Sequence, residues 1–314
     1  MTLPKLGYLC LAENPTAEEG RALIRQFVLV READRMGYDD IWLGESHDDR
    51  AWPTGAATAL LGHLAAVTSK ARIGSMVLLP ALRDAMQLAE DVATIDLLAK
   101  GRFELGVASG VAFAAALQAR GLGTAQARER LSSSLARIQG LLAGAELVPR
   151  PAQSPLPLWI ASDDEAMLRH AGAQGLGLMA AATHSPARVQ RALRLYTEGS
   201  GGRAPALVLA RFACTAATRD EALAVAVPYF EAFAARARAA GWGADRERSI
   251  ARDVQALVEH SLVGSHAEVA LRFQALAASH GATRVAIVPT SAQFDTHKHI
   301  LAAFVDEVRP LLED

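Results

Sequence analysis

The sequence holds only two cysteines, Cys10 and Cys214, in 314 residues. Both lie within apolar runs, where a thiol acts as a small core side chain, so no disulfide framework and no thiolate chemistry are expected. Net charge is also nearly absent: 32 Lys and Arg against 34 Asp and Glu leave −2. That balance removes the electrostatic basis for nucleic acid or an anionic membrane as a partner. No apolar run reaches the ~18 residues of a membrane span. The opening residues MTLPK lack the charged-then-apolar layout of a secretion signal, so a cytoplasmic location is expected. The glycine-rich dinucleotide fingerprint is missing, because Gly7 is followed by Tyr8 and Leu9, and Gly121-Leu122-Gly123 lacks its third glycine. Ser109-Gly110 follows Val107-Ala108, which is not the Gly-x-Ser-x-Gly elbow of hydrolases.

What is present is a core-forming composition, 51% hydrophobic against 21% charged, consistent with one domain over residues 1–314. Eight short apolar runs stand at 6–12, 40–44, 72–79, 103–107, 158–161, 176–180, 207–214 and 284–289. Segments of helical period separate them: 17–36, 56–69, 85–99, 125–143, 165–173, 186–198, 220–239 and 266–280, with 297–312 at the end. Strand-then-helix repeated eight times predicts a closed α/β structure, a (β/α)8 barrel, with an open doubly wound sheet as the competing architecture. Three stretches interrupt the alternation. Residues 144–157 (GAELVPRPAQSPLP) predict an extended connection, 199–206 a flexible loop, and 240–265 an insertion at the carboxyl end of the strands.

The tract from Gly74 to Gly110, GSMVLLPALRDAMQLAEDVATIDLLAKGRFELGVASG, reads as strand, amphipathic helix and strand, with Lys100-Gly101-Arg102 as the helix stop. It resembles the luciferase-like flavin monooxygenases, in which a nearly identical tract recurs. The segments GYDDIWLGESH (37–47), PLWIA (157–161) and GLGLM (175–179) extend the resemblance over most of residues 3–310. It implies the barrel fold and a flavin held at the carboxyl ends of the strands.

In a barrel, chemistry gathers just past each strand's carboxyl end. There, Glu45, Ser46 and His47 follow the second strand, ahead of Asp48-Asp49-Arg50. A histidine beside a carboxylate is suited to acid–base work or to tying down a polar loop. The family places Glu-His-His here, so the resemblance assigns His47 and Glu45 to catalysis, with Ser46 in place of the first histidine. It also implies a non-proline cis peptide under the flavin ring, at Ser75-Met76 first and Met76-Val77 second, with Met179 lining the ring cavity. Ser109-Gly110 stands where the family has Arg-Gly for the flavin phosphate, and Ser162-Asp163-Asp164-Glu165 where it has hydroxyls. A helix start at that place binds anions through its free N–H groups, whereas three carboxylates would repel one. Arg120, Arg128 and Arg169 are the candidates to offset them. Among the other histidines, His184 and His297 to His299 lack carboxylate company at metal-ligand spacing, so no metal site is expected.

Three functions follow from the resemblance. The first is a flavin-dependent monooxygenase using O2 and reduced FMN, supplied by a separate flavin reductase, to oxidise a small organic substrate. The second is a noncatalytic or altered luciferase-like subunit with a degraded phosphate site. The third is a deazaflavin-dependent hydride-transfer enzyme. A homodimer, or a dimer with a paralogue, is expected through Ala56–Val67 and Met86–Leu98.

Overall fold

The computed structural model describes residues 3–16, 18–47 and 49–313; Asp48 of the predicted polar loop lies outside them. Nine strands form one sheet: β1 Lys5–Cys10, β2 Asp40–Leu43, β3 Arg72–Ser75, β4 Phe103–Ala108, β5 Leu158–Ala161, β6 Gly177–Ala180, β7 Leu207–Ala216, β8 Leu262–Ser265 and β9 Arg284–Pro289. Every pairing is parallel, in the order β6-β5-β4-β3-β2-β1-β9-β7-β8, and an additional β6–β7 pairing closes the ring. The expected eight-stranded barrel is thus present, built from β1–β7 and β9. β8 is a departure from the sequence reading, which left 240–265 as an insertion. β7 runs ten residues, past the end of β6, and its last turn of ladder, Ala213 to Ala216, pairs with Leu262 to Ser265.

The surrounding helices are α1 Glu19–Met36, α2 Ala57–Val67, α3 Ala85–Leu98, α4 Ala114–Ala119, α5 Thr124–Ala143, α6 Glu165–Gln174, α7 Pro186–Gly199, α8 Arg219–Ala239, α9 Val254–Glu259, α10 His266–His280, α11 Phe294–Ala303 and α12 Pro310–Glu313. Their ends follow local chemistry. Asp84 caps α3 by accepting from the N–H groups of Met86 and Gln87, and α3 stops where Lys100 and Gly101 both turn to positive φ. Residues 144–157 contain neither helix nor strand, as expected. The final predicted helix instead divides into α11, a π turn over Phe304–Val308, and α12.

Inside the barrel, Trp42 and Trp159 meet edge to face, with ring centroids 6.1 Å apart. Glycine makes room for them: a Cβ at Gly74 would lie 2.4 Å from Trp42, and one at Gly177 2.1 Å from Trp159. Below the rings, near the amino ends of the strands, Arg284 bonds Asp40 at 2.8 Å and Glu104 at 3.0 Å. Trp159 Nε1 donates to Glu104 Oε2 at 2.7 Å, the oxygen that also meets Arg284, and Arg72 pairs with Oε1. Asp40 is fully buried, and desolvation raises its pKa to about 7 against the pull of Arg284. This layer plugs the floor and leaves the opposite rim for chemistry. Cys10 and Cys214 are free and buried, each thiol pushed up to about 11 by desolvation.

Candidate active site at the carboxyl rim

Glu45 organises the rim beyond β2. Its carboxylate, itself buried, is bonded to His47 Nε2 at 2.5 Å and accepts from Arg83 at 2.7 Å and from the Leu79 N–H at 3.1 Å. These contacts fix the carboxylate and, through it, where His47 sits. The other ring nitrogen, His47 Nδ1, lies 3.5 Å from Arg120. Arg83 is the residue sequence reasoning passed over. Its signal was the LRD triplet, in which Asp84 caps α3 and so aims the preceding arginine back at the rim.

Ser46 is buried, and its Oγ has no hydrogen-bond partner. A buried, unsatisfied hydroxyl at the rim is costly unless a ligand or water meets it. The cis peptide lies at Met76-Val77, one bond beyond the first-ranked Ser75-Met76. Ser75 is turned inward instead: its hydroxyl donates to the Gly106 carbonyl at 2.8 Å and accepts from the Gly106 N–H at 2.9 Å. Met179 occupies the same layer, since a Cβ on Gly106 would come within 2.6 Å of its sulfur. Ser75 and Met179 therefore support the rim from beneath, whereas Met76 and Val77 are half-buried on it. Leu11, Gly44 and Met76 converge there, the Gly44 backbone approaching both neighbours closely.

The far side of the rim carries charge. Ala108 of β4 pairs with Ala161 of β5, so Ser109-Gly110 and Ser162-Asp163 leave adjacent strands side by side. The three carboxylates expected to repel an anion are each engaged. Asp163 pairs with Arg128 at 3.6 Å and Arg248 at 3.3 Å, and Arg191 donates to its carbonyl at 3.2 Å. Asp164 caps α6, and Glu165 is held by Arg169 and Arg191. Arg188 faces Asp163 too; burial lowers its pKa and Asp163 partly restores it. With Arg248 also paired to Asp245 at 3.1 Å, three guanidiniums meet two carboxylates. Each of the three carboxylates therefore has a partner of its own within the fold. Buried Nε–H groups of Arg128 and Arg188 find no partner. Of the three arginines proposed from sequence, Arg128 alone reaches Asp163; Arg120 is at His47, and Arg169 is on the exposed face with Glu165 and Glu198.

The insertion contributes to this end. Ser185 N–H donates to the Arg248 carbonyl, Ile250 N–H to that of Thr183, and His184 bridges Ser249. His184 is half-buried, and its pKa falls well below the ordinary value through desolvation, with Arg188 and Arg211 adding to the effect. His297 accepts or donates only within the wall, at Tyr8 and the Ser291 carbonyl, and burial lowers its pKa to about 4. Among the described residues no group of three metal-ligating side chains occurs, and no helix is long and apolar enough to cross a membrane.

The family model described as luciferase-like monooxygenase matches residues 4–284. A 4-hydroxyprotoasukamycin monooxygenase of Streptomyces nodosus subsp. asukaensis is 32% identical over 178 residues, 56% of this chain and 45% of that protein. The uncharacterized protein YvbT of Bacillus subtilis (strain 168) is 29% identical over 175 residues, 54% of this chain and 52% of that one. The chain thus spans about half the length of these curated relatives. In structure it resembles monooxygenase RslO1 from Streptomyces bottropensis (TM-score 0.82, 19% identity, 98% and 99% of the two chains). It also resembles the oxygenating constituent of 3,6-diketocamphane monooxygenase from Pseudomonas putida, in complex with FMN (0.78, 17%, 98% and 99%). The coenzyme F420-dependent tetrahydromethanopterin reductase of Methanopyrus kandleri shares the fold as well (0.69, 18%, 99% and 99%).

Proposed function

The chain belongs to the luciferase-like monooxygenase family, and from that premise we propose that it is a flavin-dependent monooxygenase taking reduced FMN from a separate reductase and using O2 on a small organic substrate. The observation that carries the reading is the Glu45–His47–Arg83 network on the rim, beside the unpartnered Ser46 hydroxyl. That hydroxyl stands at the mouth, where a bound ligand would relieve the cost of its burial.

The residues fit a flavin at both ends. Ser46 would offer the ring system a hydrogen bond, Met76 and Val77 would give it apolar support, and the Nε–H groups of Arg128 and Arg188 lack the acceptor that a phosphate would provide. Bound reduced flavin would supply the electron pair by which O2 is divided between product and water. The chain's own part is positional and protic. Glu45 holds His47 so that Nδ1 exchanges protons toward the mouth, while Leu11, Met76 and Val77 exclude water. Arg83 keeps the Glu45 carboxylate in register with the backbone of Leu79.

Exposed Met86, Leu97 and Leu98 on α3 support a homodimer, or a dimer with a paralogue, through α2 and α3. A cytoplasmic location agrees with dependence on a diffusing reduced flavin. The test is anaerobic titration with reduced FMN, followed by mixing with O2. Saturable binding with O2 uptake that falls in His47→Asn supports the reading. Binding of a deazaflavin in place of FMN selects hydride transfer, and binding of neither selects the noncatalytic subunit.

A further inference from the structure

The arginine-rich end of the rim already contains an anion, and it belongs to the chain. Asp163 is four-fifths buried at its side chain, and its two oxygens divide between Arg128 of α5 and Arg248 of the insertion. Arg188 faces the same carboxylate, and the Arg191 guanidinium fixes its backbone carbonyl. These cations come from positions 128, 188, 191 and 248, on three separate elements (α5, α7 and the insertion) that converge on one residue. Yet the convergence is incomplete, because the Nε–H groups of Arg128 and Arg188 are buried without acceptors. A carboxylate has too few oxygens, and too little charge, to satisfy such a set; a tetrahedral phosphate dianion has more of both.

We propose that Asp163 is an internal counter-anion that competes with the ligand's phosphate for Arg128 and Arg248, and so determines how strongly the site selects a phosphorylated flavin over an unphosphorylated one. The proposal rests on the flavin reading above. A phosphate entering this end must displace the Asp163 carboxylate from both guanidiniums while remaining near it, so the attraction of three arginines is offset by like-charge repulsion. A neutral ribityl tail meets no such competition. It leaves the Asp163 pairs intact and takes its affinity from the ring. Asp163 is thereby a specificity-determining residue, and the wild-type chain accepts riboflavin nearly as well as FMN.

The full chain, its Asp163→Asn variant and its Asp163→Ser variant are titrated with riboflavin and with FMN, each oxidised and anaerobically reduced, by quenching of tryptophan and flavin fluorescence. The expected result is wild-type binding of the two flavins within about threefold, and a gain of roughly tenfold or more for FMN alone in both variants. Two variants of different size separate the charge effect from local repacking. Equal changes for both flavins, or no change in either variant, overturn the proposal while leaving flavin binding in place. A wild-type preference for FMN of about a hundredfold also overturns it. Absence of saturable binding of either flavin, by wild type and variants alike, overturns the flavin reading together with it.

Discussion

Replacing Asp40 by Asn tests the charged floor of the barrel. Asp40 titrates at about 7 in the folded chain, against 3.8 for an unperturbed carboxyl. The native state therefore binds a proton that the unfolded state has released, and stability falls as pH rises between those values. A difference of about three pKa units corresponds to roughly 4 kcal/mol over the whole window; about 2 kcal/mol of it lies between pH 5 and pH 7, and nearly 3 kcal/mol between pH 5 and pH 8. His297 acts oppositely: its folded pKa is near 4, so its contribution is present above the ordinary value of 6.5 and is lost as pH falls toward 4. In wild type the two slopes overlap; the difference between wild type and Asp40→Asn isolates the first. Asparagine keeps the volume and loses the titration, while Arg284 retains Glu104. Urea unfolding at pH 5, 6, 7 and 8 should show the variant gaining about 3 kcal/mol relative to wild type as pH rises, on top of a constant offset. A difference flat to within about 0.5 kcal/mol, or one of opposite sign, would mean that Asp40 stays ionised through its pairing with Arg284 and would refute the reasoning.

Further outcomes follow from other contacts. His47→Asn should lower kcat/KM by about a hundredfold in an O2-uptake assay, and Glu45→Gln by about tenfold, because one removes the proton carrier and the other only its anchor. Comparable losses in the two would assign His47 no protic role. Gly74→Ala should cost 3 kcal/mol or more, on the order of severe overpacking, since its Cβ would lie 2.4 Å from Trp42; a melting temperature within a degree or two of wild type rejects the tight packing inferred for the barrel interior. Neither Cys10 nor Cys214, each with a thiol near 11, should react with a disulfide reagent at pH 8 until the chain is unfolded, and both should then react together.

The barrel was legible because its strands are buried on both faces and so read as unbroken apolar runs between amphipathic helices. β8 was not, since LVGS is too short to carry a period and owes its conformation to the overhang of β7. At the site, local order exposed Glu45, Ser46 and His47 as a unit. Their neighbours were hidden by distance along the chain: Arg83 stands 38 residues from Glu45, and Arg248 85 from Asp163. For the same reason Asp163-Asp164-Glu165 looked like a repulsive cluster. One carboxylate caps a helix, and the other two meet arginines that only the folded chain brings near. The cis bond falls at Met76-Val77, the second of the two positions the sequence offered and not the first.

β7 is stitched by main-chain bonds to three neighbours, one of them above the level where the ring closes. A wall secured in that way resists sideways slip whatever side chains it bears. The opposite arc, residues 49–56 and 109–123, is anchored chiefly through Asn14 and the turns around Gly110. Diversification toward new molecules is therefore free to proceed on that arc while the β7 wall stays unchanged, and a library aimed at altered selectivity belongs there.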